Sequence, residues 1–69
     1  MLANNANKPF RTMCTFANRP QPHFEYFSTG EEAEQWAQTT IRAGRFGQIC
    51  VEMLKDGKWK LLATHAISR

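Results

Sequence analysis

The chain is poor in the residues that an enzyme, a membrane protein or a disulfide miniprotein relies on. Its 69 residues hold only two cysteines, Cys14 and Cys50, so one disulfide is the maximum, and secreted miniproteins of this size carry more. Apolar runs extend for only a few residues, too short for any segment to span a bilayer. The opening MLANNANKP has neither a basic region nor a long apolar stretch of the secretory kind, which points to a cytoplasmic protein with reduced thiols. The four glycines form no phosphate-cradling loop: Arg45-Phe46-Gly47 is too short and follows a helical segment instead of opening one. Cys14, His23, Cys50 and His65 are widely separated, without a C-x-x-C or H-x-x-x-H pair, so no metal or other cofactor is expected. Cys14 with His23 and Cys50 with His65 are the best nucleophile–base pairings available, yet both cysteines fall mid-strand, where a packed thiol is the ordinary role. A non-enzymatic protein is expected.

What is present belongs to a folded domain. Apolar residues make up 42% of the chain, and eight aromatics (five Phe, two Trp, one Tyr) are too many for a disordered one. Residues 1–9, rich in Asn and Ala and ending at Pro9, read as a flexible tail, leaving residues 10–69 as a single small domain. Arg11 to Ala17 alternates and suits a strand. Asn18-Arg19-Pro20-Gln21-Pro22 interrupts it, because the two prolines remove ladder donors, and His23 to Ser28 resumes as a second strand. Thr29 with Glu32 matches a capping box, Ser28 with Glu31 being the other register. Ala33, Trp36, Ala37, Thr40 and Ile41 then keep helical spacing to a stop near Gly44.

The last third reads as a hairpin, Gln48–Leu54 and Trp59–Ile67, around Lys55-Asp56-Gly57-Lys58. A two-residue Asp56-Gly57 turn sets Glu52 opposite Leu61 and Met53 opposite Lys60. A three-residue loop sets Glu52 opposite Lys60, Met53 opposite Trp59, Val51 opposite Leu61 and Ile49 opposite Ala63. The second register is preferred because it sorts charge onto one face and apolar bulk onto the other. The expectation is an α+β domain of order β-β-α-β-β, one helix packed on a four-stranded antiparallel sheet in order 2-1-3-4. Trp36 and Ile41 are expected to pack on Ile49, Val51, Met53, Trp59 and Leu61.

Two binding readings follow. From Arg42 to Arg69 six basic residues face two acidic ones, and Arg45, Lys58 and Lys60, interleaved with Phe46 and Trp59, are candidate phosphate contacts for single-stranded nucleic acid or RNA. The sheet face away from the helix is expected to carry Lys58 and Lys60, with Phe27 or Tyr26 beside them. In the other reading, Cys50, Leu54 and Leu62 point away from the helix, joined by Met13 and Phe27 if Phe16 and Phe24 are buried rather than the first hairpin being inverted, and an uncovered apolar face implies a protein partner or a sheet-to-sheet homodimer. Arg11, Arg19, Arg45 and Phe46, in or beside loops, are the candidate anchors there.

The segment from the helix through GRFGQICVEMLKDGKWKLLATH resembles small phage- and plasmid-borne anti-CRISPR proteins in layout. Asp56, Gly57, Lys58 and Trp59 match their terminal-hairpin turn, over about forty residues. The resemblance implies an inhibitor that acts by docking on a large nucleoprotein complex, without catalysis. It assigns no individual residue.

Overall fold

The computed structural model describes residues 8–16 and 18–67, and within them the chain runs β1 (Phe10–Phe16), β2 (Arg19–Phe27), α1 (Gly30–Arg42), β3 (Gln48–Lys55) and β4 (Lys58–Ala66). The four strands form one antiparallel sheet in order β2-β1-β3-β4 with α1 packed against it, the architecture expected from the sequence. Most of the expected tail, and Ala17 at the expected end of strand one, lie outside the described residues.

Helix α1 forms where the capping logic puts it. The Thr29 hydroxyl accepts from the Glu32 amide at 3.1 Å, and the Glu32 carboxylate accepts from the Thr29 amide at 3.3 Å, closing the box reciprocally. The Glu31 and Glu32 charges sit in the first turn and Arg42 in the last, each at the dipole end that favours it. Ala43 caps the C-terminus, and Gly44 follows in the left-handed conformation (φ 77°), donating its amide to the Ile41 carbonyl at 3.0 Å. The predicted stripe is the buried one: Ala33, Ala37 and Thr40 are buried, with Trp36 and Ile41 packed alongside.

The core beneath α1 is built from small side chains. Cys14, Ile49, Val51, Ala33 and Ala37 form its centre, Thr12 is fully buried, and Phe10, Phe16, Phe27 and Ala63 pack around the edge. Strand alternation puts Phe10, Thr12, Cys14 and Phe16 on the helix side, with their partners Phe27, Glu25 and His23 on β2.

Two features depart from the sequence reading. First, β2 does not wait for the prolines to pass: it starts at Arg19 and includes Pro20 and Pro22. They fall in the irregular stretch between the pairs Cys14↔His23 and Phe16↔Arg19, on an edge strand, where missing amides cost no ladder bond.

Second, the terminal hairpin has the two-residue turn. Asp56 (φ 54°) and Gly57 (φ 77°) both take the left-handed conformation that matches strand twist, and Lys55 pairs Lys58, Leu54 pairs Trp59, Met53 pairs Lys60 and Glu52 pairs Leu61. The expected Glu52–Lys60 pairing is replaced because Glu52 finds its cation on the neighbouring strand, in Arg11. A bulge then skips Leu62, so Val51 pairs Ala63 and Ile49 pairs His65. Past the bulge Ala63 regains the helix side. Before it, Trp59 and Leu61 fall on the opposite face, not under α1 as expected, while Lys58 and Lys60 fall on the helix side, not on the open face.

Candidate functional site

The face of the sheet turned away from α1 carries Phe24 and Tyr26 from β2, Arg11 and Met13 from β1, Cys50, Glu52 and Leu54 from β3, and Trp59 and Leu61 from β4. Arg11 is its centre. The guanidinium carbon lies 4.2 Å from the Trp59 ring centroid and 4.7 Å from that of Phe24, and Nε donates to Glu52 Oε1 at 2.6 Å. Tyr26 closes on Trp59 with ring centroids 6.1 Å apart. Arg11 and Glu52 retain only 19% and 15% of their side-chain exposure, so the pair is largely removed from water and its hydrogen bond is charge-assisted. Held on two sides by rings and at Nε by a carboxylate, this arginine is fixed in place. Beside it, on the edge strand, Leu61 (60% exposed) and Leu62 (51%) are the most exposed large apolar residues among those described.

A second constellation forms at the end of the sheet where β1 passes to β2 and α1 passes to β3. Phe46, buried at 8% exposure, plugs the core there: its ring is 4.7 Å from that of Phe16, and His23 stacks on it at 5.9 Å, 18° from parallel. The Arg19 guanidinium lies over the Phe16 ring at 5.1 Å. Phe16, Arg19, Pro20, Gln21, Pro22, His23, Arg45 and Phe46 line a groove of about 470 Å³.

The candidate residues therefore separate. Arg19, Arg45 and Phe46 come together at this groove. Arg11 belongs to the open-face cluster. Phe27 does not point away from the helix as expected: it packs beneath it, with its ring 5.8 Å from Trp36. Lys58 and Lys60 sit at the far end of the sheet, and a strand of eight residues at about 3.3 Å per residue puts Arg45 on the order of 25 Å from them. Tyr26 takes the open face as one of the two options expected there, whereas Phe24 was not expected on it and Trp59 was expected in the core beneath α1. The signal for Phe24 was the alternation Phe24-x-Tyr26 in step with Arg11 and Met13, which a correct first-hairpin register would have revealed.

The two thiol–histidine pairings fare differently: Cys14 and His23 are direct cross-strand partners on the helix side, whereas Cys50 and His65 are not. Cys14 is fully buried on the helix side and burial pushes its thiol up to about 11, so it is protonated at neutral pH and a poor nucleophile. Cys50 lies on the open face while His65 lies on the helix side, paired with Ile49, so they do not meet. The neighbouring register positions of Cys14 and Cys50 point to opposite faces, and both thiols are free. His65 Nε2 is buried 2.8 Å from Glu34 Oε2. Among the described residues no three His, Cys, Asp or Glu converge on a metal position, and no helix is long and apolar enough to cross a membrane. Comparison with protein-family models, curated proteins and solved structures finds no match.

Proposed function

We propose that the protein is a non-catalytic docking module, an inhibitor or adaptor that binds a protein or nucleoprotein partner through the open sheet face. One observation carries this reading: Arg11 clamped between the Phe24 and Trp59 rings, on the face without a helix. Tryptophan, tyrosine and arginine dominate binding hot spots, and an anchor already fixed in place loses little conformational freedom on docking. Leu61 and Leu62 extend the patch with exposed apolar surface. The anti-CRISPR-like layout and a cytoplasmic location accord with this role.

The nucleic-acid reading has less support. Arg45 and the Lys58–Lys60 pair lie at opposite ends of the sheet, and the arginine on the aromatic face is already paired with Glu52, so no continuous cationic track accompanies the rings.

The test is affinity capture with wild-type bait and with Leu61→Glu/Leu62→Glu, two exposed positions that tolerate charge. A stoichiometric partner should survive nuclease treatment and be lost with the variant. Sedimentation across a concentration series separates a second copy of the chain from a foreign partner. Saturable binding to labelled single-stranded RNA or DNA near physiological salt, abolished by Lys58→Glu/Lys60→Glu, would overturn the proposal in favour of nucleic acid.

A further inference from the structure

The groove at the β1–β2 and α1–β3 end has a charge character of its own. Residues 13–24 and 35–48 contain no Asp or Glu, and they supply Arg19, Arg42 and Arg45. Carboxylate contacts among the described residues join Arg11 to Glu52, His23 to Glu25 and His65 to Glu34, and among those residues none reaches Arg19 or Arg45. The carboxylate that does touch the lining is Glu25, with Oε2 2.7 Å from His23 Nε2. Two exposed guanidinium-bearing residues thus border a concavity whose floor is aromatic, Phe16 on Phe46, and whose wall is the Pro20-Gln21-Pro22 stretch.

We infer that this groove takes an acidic segment of a protein partner, carboxylates meeting Arg19 and Arg45 and apolar neighbours lying against Phe16 and the two prolines. Arginine presents a planar fork matched to carboxylate, and grooves of this size accept side chains readily. The prolines have no amide with which to wrap a phosphate, and the cations form a pair and not a track, so an acidic peptide fits better than a nucleic-acid backbone. The inference rests on the docking reading but adds a second contact point and a chemical class to it.

The experiment uses the full chain and a fluorescein-labelled peptide of alternating Glu and Val, with a Gln–Val peptide as control. Fluorescence polarisation at about 20 mM salt should show binding of the acidic peptide only, weakened at least about tenfold by Arg19→Gln/Arg45→Gln and strongly reduced at about 150 mM salt. Amide shift perturbations in two-dimensional NMR should centre on Arg19, His23, Arg45 and Phe46, and the spectrum of the double variant reports directly that it is folded. Absence of binding, equal binding of the neutral peptide, shifts centred on Lys58 and Lys60, or tighter binding of an oligothymidylate at the same residues would each overturn the inference. Because the probe is a peptide and the substitutions avoid the open face, such a failure leaves the capture result of Leu61→Glu/Leu62→Glu to be judged separately.

Discussion

On the face under α1, Cys14, Ile49, Val51, Ala33 and Ala37 are small, apolar and shielded by a helix; on the other face Arg11, Phe24, Tyr26, Glu52 and Trp59 are large, partly polar and shielded only by one another. The first arrangement removes surface from water by layering one element on another. The second does it by laying long amphipathic side chains across a sheet that has no second layer. The difference shows how a chain this short presents a rigid surface: the covered face supplies the stability, and the uncovered one is ordered by ion pairing and ring contacts and is left facing outward.

The comparison breaks most visibly at Ile49. Ile49→Ala removes a fully buried side chain and should lower unfolding free energy by about 3 kcal/mol, whereas Leu61→Ala on the exposed face should change it by less than about 0.5 kcal/mol, both read by urea denaturation. Comparable losses at the two positions would show that the open face carries core packing too.

Arg11→Ala is the next largest effect. It strands Glu52 at 15% exposure, and because the pair keeps some contact with water the loss should be about 2 kcal/mol, below the range for a fully buried pair. Replacing both partners, Arg11→Met with Glu52→Leu, should recover stability to within about 1 kcal/mol while removing the fixed anchor. A double replacement as unstable as the single one would mean that the rings, not the charges, depend on Arg11.

The smallest effect is a pH response that ties the helix to β4. Gln38 Nε2 donates to Glu34 Oε2 at 2.9 Å, and this bond, then His65, holds the Glu34 carboxyl below its ordinary value. A depressed carboxyl stabilises the fold above the ordinary carboxylate range, and that stabilisation is lost as pH falls through the lowered value. Wild type should therefore lose urea resistance more steeply than Glu34→Gln as pH falls below the ordinary carboxylate range. The difference is small because the side chain is more than a third exposed. Parallel curves would remove Glu34 from the account.

The helix was legible in the chain because its signals are local and agree: the Thr29–Glu32 box, the acidic first turn and the apolar spacing all fall within one segment. Strand order followed from the alternating directions of neighbouring elements. The register of the last hairpin did not, since the two turn types differ by one residue and the deciding facts are not local. Glu52 is satisfied by Arg11, forty-one positions away, and the bulge at Leu62 makes the alternation of Trp59-x-Leu61 and Ala63-x-His65 point to different faces. Pro20 and Pro22 misled for a related reason: their cost depends on whether the strand is central or at an edge, a property of the whole sheet. Of the expected anchors, Arg19, Arg45 and Phe46 converge although the rest of β2 and all of α1 separate them in the chain. Nothing in their spacing indicates it.

The order β2-β1-β3-β4 makes the molecule two local hairpins joined along one line, Phe10–Thr15 against Gln48–Met53. Each hairpin closes over a short loop, while that central line brings together segments about forty residues apart, and loop-closure entropy grows with the length enclosed. The seam therefore carries the largest loop-closure cost in the sheet. Thr12 and Val51, buried partners on that line, join the two halves of the sheet, whereas the Asp56-Gly57 turn shapes only the half to which it belongs.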